Sequence, residues 1–107
     1  MFALEPGEQG KVTLAKHDGQ DNAPYCIVEA MSLKQQRKFT AEFDAIYAVE
    51  TGDDLCDKIK ELFLKYVKSF HGYRSDDVEE AFSKEGMLEI LRRMVAGNMV
   101  SYEEKKS

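Results

Sequence analysis

The stretch DDLCDKIKELFLKYVKSFHG, Asp53–Gly72, decides how the rest of this 107-residue chain is read. Leu55, Ile59, Leu62, Phe63, Tyr66, Val67 and Phe70 recur at intervals of three and four, which puts them on one broad face of an α-helix. Asp57, Lys58, Lys60, Glu61, Lys65 and Lys68 line the other face. Thr51, Asp53 and Asp54 offer capping oxygens and negative charge where the helix dipole is positive, and His71 with Gly72 supplies a stop. The pattern predicts one long central helix, around which the other segments are fitted.

Toward the N-terminus, Gly52 breaks the chain before that helix. Ser32 followed by Gln35 is a capping-box signature that opens a helix from Leu33 to Ala48 with an apolar stripe of Phe39, Phe43, Ile46 and Tyr47. Its first turns, Lys34 to Lys38, are polar and basic, so that half is expected in solvent while the aromatic half packs on the central helix. Upstream, KVTLAKH (Lys11–His17) alternates with a period of two and YCIVEA (Tyr25–Ala30) is rich in strand formers. The turn-forming DGQDNAP between them makes the pair an antiparallel hairpin, and Met1 to Gly10, with Pro6, Gly7 and Gly10, reads as coil. A lone hairpin is marginal in water, so it must lie on the central helix or pair its edge with another strand, a second copy included. That is a first pointer to self-association.

Toward the C-terminus, Ser75 or Asp76 caps a short helix from Asp77 to Ser83, in which Val78, Ala81 and Phe82 share a face. Gly86 separates it from a helix over Met87–Ala96, with Leu88, Leu91 and Val95 on one side and Met87, Ile90 and Met94 beside them. Gly97 and Asn98 end that helix. SYEEKKS carries a further capping box, Ser101 with Glu104, but little apolar weight beyond Tyr102, and 101–107 is expected to be a frayed or disordered tail. The fold class is therefore α+β in a single domain over 1–107: a β-hairpin over 10–31, then a mainly helical part of about four helices over 32–100.

A net charge of -5 weighs against a nucleic-acid backbone or an anionic membrane as main partner. No apolar run approaches the roughly 18–20 residues of a membrane span, and the N-terminus lacks a basic start followed by an apolar run, so a soluble cytoplasmic protein is expected. Cys26 and Cys56 are too few for a disulfide framework or a zinc site and read as reduced, half-buried hydrophobes. His17 and His71 have no nucleophile or metal-ligand spacing near them. The acidic run Asp76, Asp77, Glu79 and Glu80 does not match a calcium loop, and there is no Gly-rich phosphate loop. No catalytic, metal or cofactor site is therefore assigned, and no enzymatic activity is expected. What stands out is an apolar surplus in the second half. Phe70, Tyr73, Phe82, Met87, Ile90, Met94 and Met99 are the candidate protein-binding residues, because methionine suits a surface that repacks around varied partners.

The order FALEPGEQGKVTLA, VEAMSLKQQRKF, KIKELFLKYVKSFHGY, EEAFSKEGMLEILRRMVAGN and the closing SYEEKKS resembles the small tail assembly chaperones of long-tailed phages and prophages over nearly the full length. The chain departs from them after Phe70, His71 and Gly72, where many relatives carry a Trp and this sequence has none. The resemblance implies a non-enzymatic factor in the host cytoplasm that coats the long, apolar tape measure protein and keeps it soluble until tail-tube subunits polymerise around it. It also implies a homo-oligomer and, in many such genes, a second, longer product made by frameshifting. The expected mechanism is a groove between the central and Met-rich helices that takes an amphipathic helix of the client, many weak contacts acting along one long chain. Two competing readings are a structural head or tail subunit that stays in the particle, and an adaptor or regulator that binds DNA through the short helices around Gly86, where Arg92 and Arg93 are all the basic face that the Met87–Ala96 helix can show.

Overall fold

The computed structural model describes residues 4–17, 19–20, 22–97 and 99–101. The order of elements is β1 (Gln9–Val12), a 3-10 turn (Ala15–His17), β2 (Tyr25–Glu29), α1 (Leu33–Val49), α2 (Gly52–Tyr66), β3 (Val67–His71), α3 (Val78–Ala81), α4 (Lys84–Val95) and β4 (Val100–Ser101). The fold is α+β. A three-stranded antiparallel sheet, β3-β2-β1, gains a short fourth strand where β4 pairs with β1 through Gly10↔Ser101 and Lys11↔Val100.

The central helix is shorter than its periodicity predicts. It ends at Tyr66, and Val67–His71 turns directly into a strand paired with β2. The register runs Tyr25↔His71, Cys26↔Phe70, Ile27↔Ser69 and Val28↔Val67, a shift that leaves Lys68 as the extra residue of a bulge. In a regular strand, residues three apart point to opposite faces. The bulge brings Val67 and Phe70 to the same inner face, opposite the buried Val28 and Cys26, so this strand carries the spacing of a helix. It is also the companion that the hairpin lacked. The strand comes from the same chain, so the hairpin itself requires no second copy.

Other boundaries move for local reasons. The first strand begins at Gln9, earlier than the alternation predicts, with Gly10 buried against Met99 and Leu4, whereas Ala15–His17 coils into the 3-10 turn. Ser32 and Gln35 form the predicted capping box, with reciprocal bonds of 3.2 and 2.8 Å. Thr51 makes no side-chain cap, and Gly52 is the first residue of α2, with φ +58, rather than a break before it. Asp77 rather than Ser75 or Asp76 caps α3, accepting from the Glu79 N–H. Ser83 caps α4 by accepting from the Gly86 N–H at 3.0 Å, so Gly86 lies in the first turn of that helix instead of preceding it. Residues 102–107, with the predicted second capping box, lie outside the described residues, while Ser101 belongs to β4.

α2 and α4 pack on one another and cover one face of the sheet. Val12, Cys26, Val28 and Val67 meet Ile59, Leu62 and Phe63 of α2 and Met87, Leu88, Ile90, Leu91 and Met94 of α4 in a single core. Two polar side chains of α4 fasten the β1–β2 connection to that core: Glu89 accepts from the Ala15 N–H, and Arg93 donates to the Thr13 carbonyl.

Candidate functional site

The predicted binding residues do not form an exposed surface. Phe82, Met87, Ile90, Met94 and Met99 are buried in the core, and Phe70 and Tyr73 are half-buried against it. Phe70, Tyr73 and Phe82 do come together, but as an aromatic cluster with Phe63: ring centroids lie 4.4 Å apart for Tyr73–Phe82, 4.9 Å for Phe63–Phe82 and 5.4 Å for Phe70–Phe82. The expected groove between the central and Met-rich helices is not open: Met87 and Met94 of α4 are buried in the core that α4 shares with α2. A flexible, unbranched side chain fills irregular core gaps as readily as it serves a surface, and composition cannot tell the two uses apart.

The apolar surface lies on α1 instead. Of its 17 residues only Phe39 is buried, 4% exposed. Phe39 stacks edge-on against Tyr66, centroids 5.1 Å apart, and begins a ladder that continues to Phe43 at 5.7 Å and from there to Tyr47 at 5.2 Å. Leu33, Tyr47 and Val49 are 63%, 43% and 75% exposed, and Leu64 on α2 is 50% exposed. Between α1 and the end of α4 lies an open cavity of about 210 Å³ lined by Phe39, Thr40, Phe43, Arg92, Val95 and Ala96. The Arg92 guanidinium lies 6.0 Å from the Phe43 ring centroid, within reach of a cation–π contact that leaves the wall apolar and its rim positive. Leu33, Thr40 and Tyr47, seven residues apart, extend this surface along one side of the helix.

α1 is held to α2 by a polar clamp as well as by Phe39. Glu42 accepts from the Lys65 ammonium at 2.6 Å and from the Tyr66 hydroxyl at 2.7 Å. Burial pushes the Glu42 carboxyl up, but those two hydrogen bonds and the charges of Lys65 and Lys38 outweigh it and hold it below its usual range. Burial, then the bond to Glu42, pushes the Tyr66 phenol up to about 12. A second cavity of about 530 Å³, lined by Glu29, Gln35, Lys38, Lys65, Tyr66 and Lys68 among others, sits beside this clamp, and its cations are partly engaged, Lys65 by Glu42 and Lys68 by Glu29.

The groups that could carry chemistry are dispersed or quiet. Cys26 is fully buried rather than half-buried; burial pushes its thiol up to about 12, a rise only partly offset by the Tyr73 hydroxyl 4.0 Å away. A thiol held protonated is a poor nucleophile. Cys56 is exposed on α2, again unlike the half-buried expectation, and both cysteines are free. His17 contacts Gln20 at 3.2 Å, and His71, at the end of a strand rather than a helix, contacts Ser69 at 2.9 Å. Among the described residues no three His, Cys, Asp or Glu gather as a metal site, and no helix is long and apolar enough to cross a membrane. Arg92 faces Phe43 and Arg93 holds the Thr13 carbonyl, so the two arginines do not present a joint basic face.

The spacing in the sequence marks Leu33 only as a helix start and places Tyr47 on the packed stripe. The available signal was the mismatch between a 17-residue helix and an apolar stripe confined to its second half. No protein-family model, curated protein or solved structure matches the chain.

Proposed function

We propose that this chain is a non-enzymatic protein-binding module, an assembly chaperone of the phage-tail type that holds an amphipathic helix of a tape measure protein. The observation that carries the reading is the open apolar groove between α1 and the end of α4, rimmed by Arg92 and flanked by exposed Leu33 and Tyr47. A groove of that shape suits a client helix that inserts large side chains at helical spacing. Each site is small, so hold on a long client comes from many copies bound along it. The net charge of -5 keeps such a coated complex apart from other copies and in solution.

Co-expression with a tape measure protein tests this. The client is expected to stay in the soluble fraction and to co-purify with the chain, and Thr40→Arg, which fills the groove from an exposed position, is expected to release it. A client that stays insoluble and unbound beside the wild-type chain refutes the reading. Capture unaffected by Thr40→Arg refutes the groove as its site.

A further inference from the structure

Every cation of α1, Lys34, Arg37 and Lys38, lies in its first half, and every anion, Glu42, Asp44 and the cap residue Glu50, lies toward its end. This order opposes the helix dipole, which favours acids at the N-terminus and bases at the C-terminus. The Lys38–Glu42 spacing likewise has the less favourable direction for an i,i+4 pair. Glu42 is taken up by Lys65 and Tyr66, but Lys34, Arg37 and Asp44 enter no ion pair among the described residues. A helix charged in this sense is complementary to a second copy of itself running the other way, and to no parallel copy.

From this charge order and the exposed apolar side chains Leu33 and Tyr47 we infer that α1 forms a two-fold, antiparallel contact with α1 of a second copy, centred near Thr40. In that register Leu33 lies against the partner's Tyr47, and Arg37 lies beside the partner's Asp44, each contact occurring twice. The seam covers Leu33 and Tyr47, with Thr40 between them, and closes the groove at Phe43. A two-fold interface is self-complementary by construction, as the charge order requires. A helix of this length spans about 25 Å, and a single helix pair falls short of the roughly 800 Å² per partner of a standard interface. The dimer is therefore weak and readily displaced. The inference rests on the groove being a docking surface and names its occupant when no client is present.

Sedimentation equilibrium of the full chain, from micromolar to near-millimolar concentration, tests it, with far-UV circular dichroism as a control for folding. The wild type is expected to pass from monomer to dimer. Arg37→Asp and Asp44→Arg, both at exposed positions, are each expected to raise the Kd roughly tenfold, because each reverses two symmetric charge contacts. Mixing the two variants is expected to restore dimerisation as a heterodimer, and the chain carrying both changes is expected to dimerise with itself. Rescue on mixing is a result that a merely structural role of either residue does not produce. A wild type that stays monomeric throughout overturns the inference, as does a dimer indifferent to both reversals or a mixture without rescue. A monomer that nevertheless captures a tape measure protein overturns the dimer and leaves the chaperone reading standing, so the two failures are distinct.

Discussion

Replacement of Phe39 by alanine is the sharpest test of how α1 is attached. Its ring is the only buried side chain of a 17-residue helix and is in contact with Phe43 and Tyr66. A helix of this length is marginal on its own in water, so its persistence depends on docking. Losing a buried phenylalanine costs about 3–5 kcal/mol when the cavity stays open. The Phe39 site is bounded on one side by the open groove, where Phe43 can relax into the gap, so about 3 kcal/mol is expected. For a chain of this size that lowers Tm by roughly 12–20 °C. Chemical denaturation gives the free energy, and hydrogen exchange locates it. The amides of α1 are expected to lose protection before those of α2, because the sheet, α2 and α4 keep their shared core. A loss below about 1 kcal/mol with α1 still protected would mean that the Glu42 clamp alone holds the helix and that burial of Phe39 does not.

Three further outcomes follow from the same geometry. Cys26 and Tyr66 are held neutral up to about 12, above their ordinary 9.0 and 10.0, so each contributes stability that is complete below its unfolded value and lost as pH rises toward 12. The denaturation midpoint is expected to fall steadily above pH 9, and Cys26→Ala to flatten the early part of that fall. Glu42 acts in the opposite sense: its carboxyl is held below 4.5, so its contribution is present above the unfolded value and lost as pH falls through the folded one. Tyr66→Phe, which removes a hydrogen bond that favours the ionised carboxylate, is expected to raise the Glu42 titration seen by carbon-detected NMR. Gly10→Ala places a Cβ 2.6 Å from Met99 Sδ and 2.9 Å from Leu4 Cδ1; both side chains can yield, so a loss of about 1–2 kcal/mol is expected on thermal unfolding, and an unchanged Tm counts against the close fit of β1 under Met99.

Much of the secondary structure is legible in the residues because its causes are local. The Ser32–Gln35 box starts α1 where the spacing predicts, β2 begins at Tyr25, and Gly97, with φ +80, lies just past the end of α4. The errors fall where a local signal supports two structures. Val67 and Phe70 fit a helix by spacing and a bulged strand by pairing, and only the free edge of β2 selects the second. Most of the expected binding residues lie in the core for a related reason. Met87, Met94 and Met99 have the composition of a binding surface, yet their place between α2, α4 and β1 makes them core.

The chain by itself determines an α+β domain, an amphipathic α2 and α4, and the reversed charge order of α1, because periodicity, caps and charge are properties of neighbouring residues. Only the tertiary structure decides that the central helix ends at Tyr66, that the hairpin finds its third strand at Val67–His71, and that Leu33 and Tyr47 rather than the methionines are left outside. Burial is a competition among all apolar groups for one small interior. Its losers are set by how α1, α2 and α4 pack around the sheet, which no single segment encodes.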